Sequence, residues 1–320
     1  MPPSLDENKF INYSISEIKL FIERFGTDES VIKDLLSDHR AGVRALAQKL
    51  LNRKHRSEQL KLKHERMLAI EKNLRAEGIK TIAGIDEAGR GPLAGPVVAA
   101  CVILPENPCL EGLDDSKKMT PKSRDEMFGR IIEAAEAWGT GMADNDEIDE
   151  IGILEAAMTA MRRAVENTGK TPDIALIDGN KIPGLNCREC AIANGDARCL
   201  SIAAASVIAK VTRDRIMIEM DGMFPGYGFA QHKGYGSTAH VNAICKLGPC
   251  YIHRFSFKIV LASAPEGTSS AILKKRLLDA PSREAFDRAA SGVARIRHTL
   301  YESDIEALRE IYKACKDRFQ

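Results

Sequence analysis

The sequence predicts an α/β fold, a mixed β-sheet flanked by helices, with helical N- and C-terminal extensions. Three observations carry this. Apolar strand-like runs at 81–86, 97–104 and 174–178 lie among longer segments with helical periodicity. The first two strands come in hairpin order and the later one alternates with helices, so one sheet needs both antiparallel and parallel neighbours. Both chain ends read as helix only.

The first extension covers residues 1–78. Ile15, Ile18 and Ile22 with Leu20 and Phe21, then Val31, Leu35 and Leu36, recur near a period of 3.6. Residues 52–75 carry eight Lys and Arg against three Glu, without Gly or Pro. That predicts one long solvated helix stopping at Gly78. Within 79–258, helices are expected at 121–137, 151–167, 201–223 and 238–247, with Ser201 as an N-cap. Ala203, Ala204, Ala205 and Ala209 would let the third pack close to a sheet. A short further strand through 191–193 leads towards Asp196. After the polar link SAPEGTSS, the extension 259–320 has apolar helical positions at Leu273, Leu277, Leu278, Ile305, Leu308 and Ile311.

Composition bounds the class. The chain has 320 residues, 44% of them hydrophobic, enough for a sizeable core. Forty-six basic against 45 acidic residues leave a formal charge of +1, so only local charge can indicate partners. No apolar run approaches the roughly 18 residues of a membrane span, and the N-terminus lacks the pattern of a secretory signal. Eight cysteines in this length do not form a disulfide framework, and Cys101 and Cys245 read as packed thiols. The expected location is cytoplasmic.

Acidic residues at strand ends point to chemistry. Asp86 and Glu87 interrupt an apolar run, Asp178 closes another, and Asp196 follows a third small-apolar stretch. Neighbouring strand ends converge, and four carboxylates in one place require cations or protons. Oxygen ligands favour Mg2+ or Mn2+. Asp before Gly, as at Asp178-Gly179, is also ordinary turn chemistry, so spacing alone leaves both readings open.

The blocks IAGIDEAGRGPLAGPVVAACVIL, LDDSKKMTPKSRDEMF, ALIDGNKIPGL, NGDARCLSIAAASVIAKVTRDR, YGFAQHKGYGSTAHVNAICKLGP and IHRFSF occur in that order over residues 81–257. They resemble the signature blocks of ribonuclease HII, the bacterial type 2 ribonuclease H. HRAGVRALAQKLLNRKHR, near the N-terminus, is similar to the helical extension of longer members. Residues after about 260 have no counterpart in the resemblance.

The resemblance implies a ribonuclease H-like fold in which Asp86, Glu87, Asp178 and Asp196 hold two divalent metal ions, Mg2+ or Mn2+. It implies hydrolysis of the RNA strand of RNA–DNA hybrids and cutting 5' of ribonucleotides embedded in duplex DNA, leaving 5'-phosphate and 3'-hydroxyl. Gly89-Arg90-Gly91 would approach the 2'-hydroxyl through its backbone, and Tyr235 matches the tyrosine that stacks on the sugar beside the cut. Lys117 and Lys118 are candidates for phosphate contact, and the basic 52–75 helix for an added handle on the duplex. Tyr227 reads as structural, and a monomer is favoured. The residue before Gly195 is commonly lysine in the family but is Asn194 here. Cys187 and Cys190, with Cys199 nearby, read as free thiols before a zinc or redox pair, and His232, His240 and His253 as satisfied polar or phosphate-facing groups. The alternatives are another two-metal nuclease, or a non-catalytic hybrid-binding protein that would have lost a carboxylate.

Overall fold

A computed structural model of the chain describes residues 10, 12–280 and 282–316, so the outermost residues of both predicted extensions lie outside it. It divides into two compact units, Met1–Arg66 and Met67–Gln320. In the first, α1 (Ile15–Phe25) starts at a reciprocal cap between Ser14 and Glu17. The second helix, α2 (Glu29–Leu36), is capped by Asp28. The third, α3, runs Ala41–Met67. Ile18, Leu35, Val43 and Ala47 close a small core with Phe10. Arg53, Arg56, Lys61 and Arg66 of α3 are exposed.

The basic segment expected as one helix is two. At Leu68 the helix is interrupted, Met67 and Leu68 enter the core of the second unit, and α4 spans Ala69–Ala76. The stop at Gly78 is as expected, with φ +90° and the Ile79 N–H closing on the Leu74 carbonyl. Two of the segment's charges are not on a solvated face. Arg75 donates to the carbonyls of Lys80 and Leu104, and Glu71 is buried.

After α4 come β1 (Ile82–Ala88), β2 (Val97–Ile103), α5 (Pro121–Ala134), β3 (Ala137–Ala143), α6 (Asn145–Ile151) and α7 (Ile153–Glu166). Next are β4 (Ile174–Asp178), β5 (Arg188–Ile192), a 3-10 turn at Gly195–Ala197 and α8 (Leu200–Met223). The remainder is helical: α9 (Phe229–His232), α10 (Thr238–Leu247), α11 (Lys258–Ser263), α12 (Thr268–Leu278), α13 (Arg283–Ile296) and α14 (Glu302–Lys316). The sheet order is β3-β2-β1-β4-β5, with β1 antiparallel to β2 and parallel to β4. This is the mixed sheet expected. Alternation along β2 sends Ala100 and Val102 to a core under α5 and α8, and Ala99, Cys101 and Ile103 to a core under α7.

The small residues of α8 serve close packing. A Cβ built on Gly84 of β1 would lie 2.1 Å from the Ser201 backbone carbon, so α8 rests directly on the strand. Ser201 is not the N-cap. Cys199 holds that position, and its side chain makes no capping bond to the helix. The cap is supplied from α4, where Glu71 Oε1 accepts from the Ser201 N–H at 2.9 Å, the Ser201 hydroxyl at 3.0 Å and the Cys199 thiol at 3.0 Å. A carboxylate suits the positive end of a helix.

Two further expectations are corrected. The helix expected to reach residue 137 ends at Ala134, and Ala137–Ala143 forms the edge strand β3. Its Gly139 and Gly141 lie where any side chain would strike the α7 backbone, while Trp138 and Met142 are exposed on the other face. Asp196 follows β5, as expected, and sits on the 3-10 turn. Cys245 is exposed because its neighbour Ile244 takes the buried face of α10. The C-terminal helices close around Phe255, Leu273, Leu277, Phe286, Ile296 and Leu308, whereas Leu278 is exposed. No helix among the described residues is long and apolar enough to cross a membrane.

Replacing Gly84 with alanine drives a methyl into the α8 backbone. The expected loss is about 1–3 kcal/mol of stability, typical of overpacking, read as a lower urea midpoint with unchanged slope. An unaltered midpoint would mean that the helix retreats freely.

Candidate active site

The parallel register pairs Ile85 with Ile177, so the next residues, Asp86 and Asp178, stand side by side on adjacent strands and share a face. Strands in a sheet lie about 4.8 Å apart, close enough for repulsion between the buried Asp86 and the half-buried Asp178. Beyond β5 the chain turns back through Asn194, and the Gly195 N–H donates to Asp178 Oδ1 at 2.6 Å. That bond brings the buried Asp196 to the same place. Asn194 sits at φ +53°, ψ +43°, a left-handed conformation that asparagine tolerates better than most residues. This is a local reason for asparagine at this position.

The four acids differ in surroundings. Asp86 is 4% exposed and accepts from the Glu87 N–H at 2.7 Å. The Ser206 hydroxyl of α8, 2.8 Å from that of Ser116, is near enough to favour the charged form of Asp86. Burial first, then the charges on Glu87 and Asp178, hold the Asp86 carboxyl well above the ordinary range. Strand alternation turns Glu87 to the opposite face, where Arg90 Nη1 reaches it at 3.2 Å. Burial raises its pKa against that arginine, and Asp178 adds to the rise. Asp196 is raised by burial and then by Asp178, opposed by Lys117 Nζ at 3.4 Å. Each carboxylate thus already has a donor. Among the described residues no three His, Cys, Asp or Glu side chains stand together as a metal-binding group.

Lys117 lies at the rim of this cluster. Burial opposes its charge, but Asp196, Asp115 and Asp86 hold its pKa above the usual value. Lys118 lies farther out, 3.8 Å from Asp115.

The Gly89-Arg90-Gly91 turn and Tyr235 come together. A Cβ on Gly91 would sit 3.9 Å from the Tyr235 ring, and that ring is 43% exposed. Gly89, at φ +98°, has no room for a side chain because Arg213 Nε would lie 2.1 Å from a Cβ. Tyr227, by contrast, is buried, stacked on Phe229, and bonded to the Gly248 carbonyl. Beside Tyr235 is a cavity of about 380 Å³ whose lining includes Lys210, Arg215 and Lys233.

Sequence reasoning missed the supports. Arg213, in α8, is fully buried and donates to the carbonyls of Pro96, Lys233 and Ala94. Arg254, equally buried, donates to those of Gly95, Arg90 and Gly89. Burial pulls them down to about 10 and about 9, still cationic at neutral pH. A buried arginine has no local pattern. The only signal was its place inside segments otherwise read as core.

The histidines are satisfied polar groups. The Cys250 N–H donates to His253 Nδ1 at 2.9 Å, and the Nε2 atoms of His253 and His240 are 3.0 Å apart. His240 Nδ1 lies 3.0 Å from the Tyr235 carbonyl. One tautomer set completes this chain with both rings neutral: His253 donates to His240, and His240 to Tyr235. His232 Nε2 lies 2.8 Å from the Tyr227 carbonyl. Cys187 is half-buried, Cys190 exposed on β5, and Cys199 buried against Glu71.

A family model described as Ribonuclease HII matches residues 83–260, and one described as Ribonuclease HII N-terminal domain matches 14–75. The chain belongs to the ribonuclease HII family. It is therefore an endonuclease and a hydrolase. Ribonuclease HII of Acetivibrio thermocellus is 46% identical over 248 residues, 77% of this chain and 97% of that one. Ribonuclease HII of Geobacter sulfurreducens is 58% identical over 181 residues, covering 57% and 83%. A solved ribonuclease H2 from Pyrococcus horikoshii OT3 aligns with a TM-score of 0.49 and 26% identity, over 57% of this chain and 96% of that one. Residues beyond 260 lie outside both matches to ribonuclease HII models.

Burial first, then mutual repulsion and the charge of Arg276, depress His253 to about 3; burial chiefly depresses His240 to about 4. Unfolded histidine titrates near 6.5. The neutral pair's stabilisation is therefore complete above about pH 6.5 and lost as pH falls towards 4 and then 3. His240→Asn is expected to lower the proton uptake on unfolding at pH 5 by about one, measured from the pH dependence of the denaturation midpoint. Equal uptake in the two proteins would contradict the neutral pair.

Proposed function

We propose that this ribonuclease hydrolyses the RNA strand of RNA–DNA hybrids and cuts 5' of ribonucleotides embedded in duplex DNA, leaving 5'-phosphate and 3'-hydroxyl ends. Asp86, Glu87, Asp178 and Asp196 act with divalent cations. The observation that supports this best is the set of carboxylates at one end of the sheet, three of them held above their ordinary pKa by burial, with charges on neighbouring acids adding to the rise. An all-oxygen donor set under such repulsion suits hard divalent ions such as Mg2+ or Mn2+. Bound there, two such ions would supply a water made nucleophilic near neutral pH and a stabilised leaving 3'-oxygen.

The chain's own residues do the rest. Asp86 and Asp178 present oxygens from one face of adjacent strands, and the Glu87 and Gly195 N–H groups hold their carboxylates. Lys117 compensates charge beside Asp196 and faces the side from which a phosphate enters, and Lys118 adds positive charge farther out. Gly89-Arg90-Gly91 offers a bare backbone that can approach a 2'-hydroxyl, the group that separates RNA from DNA. Tyr235 offers a partly exposed ring to the neighbouring sugar, and the cavity beside it is lined by Lys233 and by Lys210 and Arg215, which pair with Asp214 and Asp125. The exposed bases of α3 act as a second, electrostatic handle on the duplex.

The deciding assay offers a duplex with one embedded ribonucleotide, and its all-DNA counterpart, with Mg2+, Mn2+ or EDTA. Metal-dependent cleavage of the first alone is expected, with at least about a hundredfold loss in rate for Asp86→Asn or Asp178→Asn. Equal cleavage of both duplexes would favour a deoxyribonuclease, and binding without cleavage a non-catalytic hybrid-binding protein. Reversing the charge of Arg53, Arg56, Lys61 and Arg66 is expected to weaken hybrid binding and flatten its dependence on salt while leaving kcat unchanged. Unchanged affinity would remove α3 from the interface.

A further inference from the structure

The C-terminal helices lie beyond the family match, yet one of their side chains reaches the segment behind the proposed sugar-sensing turn. Arg276 of α12 is 5% exposed. Its guanidinium bonds to Asp149 Oδ2 at 3.1 Å, to Asp146 Oδ1 at 2.8 Å, and to the carbonyls of Tyr251 and His253 at 2.5 and 2.9 Å. It also stacks over the Phe255 ring at 4.7 Å. Asp149 in turn accepts from the Phe255 and Ser256 N–H groups at 3.0 and 2.8 Å. Residues 251–256 are therefore held from both sides by one ion pair. In the middle of that segment stands Arg254, whose guanidinium binds Gly89 O at 2.6 Å and Arg90 O at 3.0 Å.

We infer that Arg276 is a positioning residue for ribose recognition, acting through residues 251–256 and Arg254 on the Gly89-Arg90-Gly91 turn. The inference rests on the proposed function for what the turn does, and on contacts alone for how the turn is held. Gly89 is a left-handed glycine with an intrinsically free backbone. Its carbonyl and that of Arg90 take both terminal nitrogens of one planar fork, which fixes the turn's orientation as a lysine could not. A fork fixes the turn only as well as its own backbone is fixed. Residues 251–256 include no strand among the described elements and just one isolated bridge, Ala94 with His253. The clamp from α12 supplies the missing rigidity. The C-terminal extension is on this account part of the site's frame.

The test compares wild type, Arg276→Met, Arg276→Lys, Arg254→Lys and the Arg276→Met/Arg254→Lys double variant in the full chain, well below each melting temperature. Single-turnover cleavage at an embedded ribonucleotide is expected to fall about tenfold or more in Arg276→Met, with hybrid affinity within about threefold and partial recovery in Arg276→Lys. The double variant should be little worse than the slower single one, since both act on one chain of contacts. Amide exchange at Leu93 and Gly95, which bond to Gly234 and Ile252, should quicken at least about fivefold in Arg276→Met. That readout does not depend on which nucleic acid is cut. Unchanged exchange, or a folded Arg276→Met that keeps its full rate, would overturn the inference. So would additive losses. A wild type that cuts RNA-free duplex equally well would overturn the functional reading instead, with the exchange result still deciding the brace.

Discussion

Two carboxylates on adjacent parallel strands, facing the same helix, are the constraint that organises this molecule. Asp86, buried, and Asp178, half-buried, stand at an in-sheet spacing where like charges repel strongly. The Glu87 and Gly195 amides each donate to one of them, while an arginine and a lysine from the loop before α5 hold the neighbouring Glu87 and Asp196. Donors drawn from so many elements align only if the elements meet at fixed distances. The contact of α8 with Gly84 and the capping of α8 by Glu71 set those distances.

The buried arginines follow from the same constraint. Arg213 and Arg254 lie close to the acidic end of the sheet, yet their hydrogen bonds go to main-chain carbonyls. Bound to carbonyls, the two cations knit loops together and take no part in pairing the acids. Arginine suits this task because it carries five donors in a rigid plane.

Much of this was legible in the residues. Alternation of apolar runs with helical periodicity gave three of the five strands nearly to the residue, and carboxylates at their ends pointed to the candidate site. The rest required distant partners. β3 reads AWGTGMA, and its glycines weaken any strand pattern; they are there because α7 presses on them. Glu71 looked like one more surface acid in a basic helix, but it caps a helix that begins some 130 residues later. Ser206, Arg213 and Arg254 carry no spacing rule, since their partners are backbone atoms or hydroxyls brought close only by folding.

Trp138 is the chain's single tryptophan, on the outer face of edge strand β3. Its indole belongs to the second unit, and the first unit has none. Emission from this one fluorophore therefore follows melting of the catalytic body alone, unmixed with signal from the N-terminal bundle. Circular dichroism near 222 nm, by contrast, sums helices from both. The gap between the two curves gives a label-free measure of whether the two bodies unfold together or in turn.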